Sequence, residues 1–383
     1  MINQAVLADI VQRPPLIDPI TGLDKNRVVI GMSGGVDSTV AAYLLKAQGY
    51  EVIGITMKLW DDPSEAYAEN YGGCCSLSAV EDARRVAAAL QIPFYVVNFK
   101  APFKEKVMDY FVDSYRVGET PNPCVMCNKY IKFDKLLLKA KELGAYYVAT
   151  GHYAKIEWDA TVNRYKLMRS KELSKDQTYM LANFTQEQLA HTLMPIGAFS
   201  SKQEVREIAQ KLDFVVARKP DSQEICFIPD DDYVRFLRDQ LETPVVEGNF
   251  IDREGNVLGR HKGIIYYTVG QRKGLGVTFG KPMYVVGVNH KTNEVILGPD
   301  EEVFSQSFIA RDVNLISFAS ITAPLRVGAK IRHTKKEAPA LLEPLENGDY
   351  LVTFDEPQRA VTPGQAVAFY IGDEVVGGGF IRG

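Results

Sequence analysis

Two sets of residues have the types and spacing to do chemistry. The first is Val28-Val29-Ile30-Gly31-Met32-Ser33-Gly34-Gly35-Val36-Asp37-Ser38-Thr39, an apolar run that passes through glycines and serines into a helix-like pattern. Glycine has no Cβ, so such a backbone can turn tightly and bring its N–H groups against an anion at the start of a helix. The stretch reads as a phosphate cradle, against the plainer alternative of an ordinary strand-turn-helix connection. It lacks the Lys-Ser/Thr ending of a Walker A loop and the spacing of the dinucleotide fingerprint. The second set is sulfur. Cys124 and Cys127 form a Cys-x-x-Cys pair, and Cys226 stands in Asp221-Ser222-Gln223-Glu224-Ile225-Cys226-Phe227-Ile228. That pattern suits thiol exchange, iron–sulfur ligation or structural zinc, but no fourth zinc ligand stands at the usual spacing. The adjacent Cys74 and Cys75 read as small packing residues.

The elements that must position these residues follow from periodicity. A strand over 27–32, the loop, a helix over 38–48 ended by Gly49 and an apolar strand over 50–59 make a right-handed βαβ unit of a parallel sheet. An acidic loop runs from Trp60 to Gly73, and Ser76 or Ser78 caps a helix that runs to 90. A strand over 94–99 and a helix over 102–116 follow. A proline-rich turn from Thr120 to Asn128 then leads to a helix over 129–143 that stops at Gly144. The strand over 146–150 places Gly151 and His152 just past its carboxyl end, where ligands of open α/β sheets bind, so His152 is expected to face the nucleotide. Beyond it the pattern changes to a hairpin over 153–169, a polar loop over 171–179 and a capped helix over 201–212. A short helix over 231–240 precedes a glycine-rich, strand-rich region with a hairpin signal at Lys291-Thr292-Asn293. From about 301, short β runs with turns at Asn347-Gly348, Pro363-Gly364 and Ile371-Gly372 suit a small barrel. The expected organisation is an irregular leader (1–26), a parallel-sheet α/β domain (27–220), a central β-rich domain (221–300) and a C-terminal β-barrel (301–383).

Bulk properties bound the partners. The chain has 383 residues, 46% hydrophobic and 24% charged, and no apolar run nears the roughly 20 residues that span a bilayer. Met1 to Lys25 contains Asp9, Asp18 and Asp24 and no basic start followed by an apolar run, so a cytoplasmic protein without a membrane is expected. Five cysteines in such a length do not make a disulfide framework. The net charge of −4 argues mildly against nucleic acid, yet clusters such as Lys129/Lys132/Lys135/Lys139/Lys141 and Arg332/His333/Lys335/Lys336 can supply local positive charge.

Ser33-Gly34-Gly35-Val36-Asp37-Ser38 resembles the pyrophosphate loop of enzymes that split ATP into AMP and pyrophosphate. Seven further stretches join it: Gly54-Ile55-Thr56-Met57-Lys58, Thr120 to Asn128 with Lys132-Phe133, Ala149-Thr150-Gly151-His152-Tyr153, Lys175-Asp176-Gln177-Thr178-Tyr179, Ser222 to Ile228, Thr268 to Gly274, and Thr362-Pro363-Gly364-Gln365. Nearly end to end, the chain resembles the tRNA-specific 2-thiouridylases, which replace oxygen by sulfur at C2 of the wobble uridine. The resemblance implies an ATP-pyrophosphatase domain followed by a small central domain and a β-barrel. It implies ATP, with Mg2+, at Gly31, Met32, Ser33, Gly34, Gly35, Val36, Asp37 and Ser38, with Met57 and Gly151. It implies adenylation of the uridine C2 oxygen, a persulfide on Cys226 and a nucleophile at Cys127. For tRNA it implies Asn122, Pro123 and Cys124 near the target base, His152, the 175–177 loop (Lys175, Asp176, Gln177), and Arg332, His333 and Gln365. A sulfur-donor protein or relay is implied as a partner.

At Cys124 many family members carry Asp, a candidate acid or base, and a thiol with an ordinary pKa of about 8.5 is a weaker substitute at neutral pH. Cys124, Cys127 and Cys226 would also serve as three ligands of a [4Fe–4S] cluster, and the spacing does not decide between that and a persulfide. Other ATP-pyrophosphatases, such as amidotransferase-type synthetases, need an ammonia source or an amine and leave the thiols unexplained. A non-catalytic tRNA-binding protein on the same fold is the alternative of another class. Tyr266 and Tyr267 read as core in preference to a base-stacking face.

Overall fold

In the computed structural model, residues 13–61, 77–221, 225–241, 243–277 and 280–382 are described. The acidic loop beyond Asp61, Cys74, Cys75, Ser76 and Ser222 to Glu224 lie outside them, as do residues 1–12 of the expected leader. The chain forms two units, one of residues up to 106 with 126–231, the other of 107–125 with 232–383.

In the first unit, Val28, Val29 and Ile30 are fully buried, as a central strand covered on both faces requires. They belong to β1 (Asp24–Gly31), which is followed by α1 (Val36–Ala47), β2 (Glu51–Lys58), α2 (Leu77–Ala89) and β3 (Phe94–Asn98). Next come two long helices, α3 over 100–116 and α4 over 123–142. After α4 the chain runs through β4 (Ala145–Ala149), the antiparallel hairpin β5 (Ala154–Asp159) and β6 (Arg164–Arg169), then α5 (Gln186–Ala190), β7 (Thr192–Leu193) and α6 (Lys202–Lys211). The sheet is parallel throughout, in the order β3-β2-β1-β4-β7. Strand order therefore reverses between β1 and β4, the arrangement that opens a ligand crevice at the carboxyl ends of those two strands. Val40, Ala41 and Leu45 of α1 pack with Val28, Ile30 and Val52 in the core beneath that crevice.

The 120–128 stretch differs from expectation. It is not a turn up to Asn128, because the helix already begins at Pro123 and both Cys124 and Cys127 lie on it. Asn122 explains the early start: its Oδ1 accepts from the backbone N–H of Cys124 at 3.1 Å and of Val125 at 3.3 Å. Asn at the N-cap followed by Pro at the first helical position is a favoured helix opening. Both long helices also hold π-helical stretches, Lys104–Met108 and Asn128–Lys135, where ordinary α-helix is expected.

In the second unit, residues 107–125 pack on the part of the chain beyond residue 232: the Phe111 ring centroid lies 6.0 Å from that of Phe236, Tyr115 stacks on Tyr233 at 5.2 Å, and Glu119 pairs with Arg311 at 2.7 Å. Phe236 and Tyr233 belong to α7 (Tyr233–Gln240). The small sheet has β8 (Gly248–Ile251), β9 (Val257–His261), β10 (Tyr284–Asn289) and β11 (Glu294–Gly298) in the order β10-β11-β8-β9. Tyr267 is in its core, edge-on to Phe250, as the sequence suggests. The last six strands are β12 (Phe304–Leu315), β13 (Leu325–Lys330), β14 (Ala338–Pro344), β15 (Tyr350–Arg359), β16 (Ala366–Ile371) and β17 (Glu374–Ile381). They run β12-β15-β14-β13-β16-β17, and pairing of β12 with β17 closes the barrel and removes its edges. Among the described residues no helix is long and apolar enough to cross a membrane.

Candidate nucleotide and thiol site

The glycine loop leaves β1 at the topological switch and enters α1. The N-cap of α1 is Gly35, and no side chain caps it. Because the first backbone N–H groups of a helix have no intrahelical partners, an uncapped glycine start presents them to an anion. Gly34 has φ +66°, and a Cβ there would run into the Ala79 carbonyl oxygen. Gly151, just past β4, lies so close that a Cβ on it would stand 2.6 Å from the Ser38 nitrogen and the Asp37 carbonyl carbon. Ser33 N–H donates to Ser38 Oγ at 3.2 Å, and Ser38 Oγ donates to the Gly35 carbonyl at 3.2 Å, so the loop holds its own turn. Met32 is tied to β2 through its N–H to the Ile55 carbonyl at 2.8 Å and by Thr56 Oγ1 to its own carbonyl at 2.7 Å. The Met57 methyl lies 3.8 Å from where a Cβ on Gly31 would be. The expected nucleotide residues, Gly31 to Ser38 with Met57 and Gly151, are thus gathered at one end of two neighbouring strands.

Charges line the same loop. Asp37 accepts from the Tyr153 hydroxyl at 2.9 Å and from Lys202 Nζ, 2.6 Å from both carboxylate oxygens. Burial, and next the Asp37 charge, push the Tyr153 hydroxyl far above its usual pKa, so it stays protonated and donates. Lys202 also meets Asp221 at 3.1 Å, and Asp221 meets Lys175 at 3.1 Å and Arg206 at 2.9 Å. Burial pushes the Asp221 carboxyl up, but Lys202 and Lys175 outweigh it and hold the carboxyl below the usual range.

The residues expected at tRNA fall into several settings. In the first unit, Asp176 is buried and accepts from Ser170 N–H at 3.0 Å and Thr178 Oγ1 at 2.5 Å. Gln177 exchanges two hydrogen bonds with the Tyr153 backbone, at 2.9 and 3.0 Å. His152 is buried, with Nδ1 2.7 Å from Thr150 Oγ1; burial, with Lys132 second, holds its pKa well below the usual value and leaves the ring neutral. In the second unit, Gln365 Nε2 donates to the Thr120 carbonyl at 2.9 Å, beside Asn122 and Pro123 in sequence. Arg332 donates to Thr362 Oγ1 at 2.6 Å, and His333 is exposed. Of the thiols, Cys124 is exposed, Cys226 half-buried and Cys127 only 7% exposed.

Comparison with known proteins places this geometry. A family model described as a tRNA methyl transferase HUP domain matches residues 26–230, one described as a tRNA methyl transferase PRC-barrel domain matches 234–299, and an aminomethyltransferase β-barrel domain matches 305–381. The chain is 57% identical over 360 residues to the tRNA-specific 2-thiouridylase MnmA of Clostridium perfringens, covering 94% of this chain and 99% of that one. It is 58% identical over 358 residues to that of Clostridioides difficile, covering 94% and 98%. The chain belongs to the tRNA-specific 2-thiouridylase family. A solved 4-thiouridine synthetase–RNA complex with bound ATP aligns at TM-score 0.32 and 17% identity, over 56% of this chain and 50% of that one, too distant a likeness to decide function.

For a 2-thiouridylase-family chain, the donor sets bear on cofactors. Among the described residues no three His, Cys, Asp or Glu side chains gather as a metal site. The Asp37 carboxylate is already held by Lys202 and the Tyr153 hydroxyl. Lys202, Arg206 and the Tyr153 hydroxyl escape sequence reasoning as members of the site. Tyr153 lies in one of the family-like stretches, but Lys202 and Arg206 carry no local signal beyond the Ser201 cap of their helix.

Proposed function

We propose that this protein uses Mg-ATP to replace the C2 oxygen of the tRNA wobble uridine with sulfur. The observation that carries the reading is the uncapped glycine start of α1 at the switch between β1 and β4, in a chain of this family. The uridine C2 oxygen attacks the α-phosphorus, the bond from that phosphorus to the β-phosphate oxygen breaks, and pyrophosphate leaves. The adenylated oxygen then becomes a leaving group. A terminal persulfide sulfur on Cys226 attacks C2 and AMP departs with the oxygen. The Cys127 thiolate next attacks Cys226 Sγ, which frees the thiocarbonyl and leaves a Cys127–Cys226 disulfide for a thiol reductant to reopen with two electrons. A sulfur-donor protein supplies the persulfide.

Asn122, Pro123 and Cys124 are proposed to meet the target base, with His152, Lys175, Asp176, Gln177, Arg332, His333 and Gln365 serving the tRNA, and the cytoplasm is the proposed location. Uridine C2 is reached only once the base is unstacked, and an amide such as Asn122 suits its edge. A neutral His152 contributes hydrogen bonding without charge.

The test is the 2-thiouridine content, by mass spectrometry, of unmodified tRNA incubated with metal-free protein, Mg-ATP and a persulfide donor. Thiolated wobble uridine is expected. Product only after anaerobic cluster reconstitution would overturn the persulfide route, and tRNA binding without product in either preparation would establish the non-catalytic alternative.

A further inference from the structure

Residues 119–122, which lead into the start of α4, form neither helix nor strand, and Pro121 and Pro123 have no N–H with which to build one. The rest of the second unit holds them instead. Glu119, its side chain 16% exposed, accepts from Arg311 of β12 at 2.7 Å. Thr120 N–H donates to the Pro363 carbonyl at 2.8 Å, and its hydroxyl lies 3.1 Å from that of Thr268. Gln365 Nε2 donates to the carbonyls of Thr120 at 2.9 Å and Pro121 at 3.3 Å. The 362–365 loop is itself fastened to β17, with Gly364 N–H on the Ile381 carbonyl at 2.9 Å and Ile381 N–H on the Gln365 carbonyl at 2.8 Å. Gly364 has φ +85°, and a Cβ there would stand 2.8 Å from Glu119 Cβ and 3.0 Å from the Thr120 nitrogen. A connection between two helices ordinarily lies loosely on the surface. This one is gripped by β12, the turn at Thr268 and the barrel loop at once.

We propose that Arg311, Thr268 and Gly364 are positioning residues for thiolation: they fix Glu119 and Thr120, and through them the place that Asn122 and Pro123 take against the target uridine. The inference rests on the reading of Asn122 and Pro123 as base contacts. Asn122 Oδ1 is committed to the N–H groups of Cys124 and Val125, so its side chain goes where the backbone at that point goes. Attack at C2 requires the uracil to be held in line with the incoming sulfur, and a misplacement of about 1 Å can cost on the order of 100-fold in rate. Affinity for the whole tRNA is spread over many other contacts. The three residues therefore act on the rate of the bound complex and not on its formation.

The experiment is single-turnover thiolation of unmodified tRNA by persulfide-loaded, full-length protein with Mg-ATP, followed as 2-thiouridine over a range of tRNA concentrations. Thr268→Val and Arg311→Gln should each lower the rate at saturating tRNA roughly 10- to 100-fold. The half-saturating tRNA concentration and the affinity for ATP should stay within about twofold of the wild type. Thr268→Ser, which keeps the hydroxyl, should recover most of the rate. Wild-type rates in both variants would overturn the proposal. So would a raised half-saturating concentration with an unchanged saturating rate, the mark of direct tRNA contact, or a Thr268→Ser variant as slow as Thr268→Val, the mark of methyl packing. Should Arg311→Gln fail to fold, Thr268→Val, which keeps the shape of the side chain, is read in the same way. Failure of the underlying reading is recognised separately, by an Asn122→Ala variant that thiolates at the wild-type saturating rate.

Discussion

Gly151 lies outside the glycine loop in sequence but touches it in space. A Cβ 2.6 Å from the Ser38 nitrogen meets backbone, which cannot rotate away. Gly151→Ala should therefore displace the start of α1, weakening ATP at least tenfold and costing about 1–3 kcal/mol in a denaturant titration; wild-type values of both would remove Gly151 from the cradle. The thiols yield a prediction of a different kind. Cys226→Ala and Cys127→Ala should each abolish 2-thiouridine while ATP and tRNA still bind, and near-normal turnover in either variant would refute the role assigned to that residue. In resting protein, a polar maleimide followed by peptide mapping should label Cys124 first, Cys226 more slowly and Cys127 last, the order of their exposure. Glycines and cysteines are legible in a sequence because their chemistry is carried by type and spacing. Lys202 is not, because it meets Asp37 from 165 positions further along the chain.

Among the elements, the start of α4 shows how one local signal can be read in two ways. Asn and Pro close together mark a turn, yet Asn followed by Pro also opens a helix, and only the donors of Cys124 and Val125 reveal which applies. Asn122→Ala should cost about 0.5–2 kcal/mol in unfolding experiments, the usual worth of such a cap; no measurable loss would show that the contacts of α4 hold its first turn without Asn122. The parallel sheet is readable from apolar runs of strand length separated by helical periodicity. The hairpin of β5 and β6 and the turns of the barrel are readable from alternation and glycine. The π-helical stretches are not, since one extra residue in a helical turn leaves almost no trace in a hydrophobic pattern.

Across the whole molecule, burial governs the response to acid. It is the largest influence on His152, His191 and His261, and it holds all three below their usual pKa. As pH falls through about 6.5, the unfolded chain takes up protons at these positions that the folded protein refuses, so stability is present above that pH and is lost below it. The urea midpoint should drop between pH 7.5 and 5.5, and His152→Asn should flatten the decline; a midpoint constant over that interval would show that these rings protonate without cost in the folded state. Asp221 and the other carboxylates held low by partners contribute to acid sensitivity only further down.

Residues 107–125 belong to the second unit although the first unit both precedes and follows them in the chain. Neither unit is therefore encoded by one uninterrupted stretch. A gene split near codon 231 would give a leading product with Phe111, Tyr115 and Glu119 bared, and a trailing product whose Phe236, Tyr233 and Arg311 have nothing to cover them. Fission, exchange of halves between relatives and stepwise release from the ribosome all meet the same obstacle. Part of the first gene segment has to wait for the last one before it has anywhere to pack.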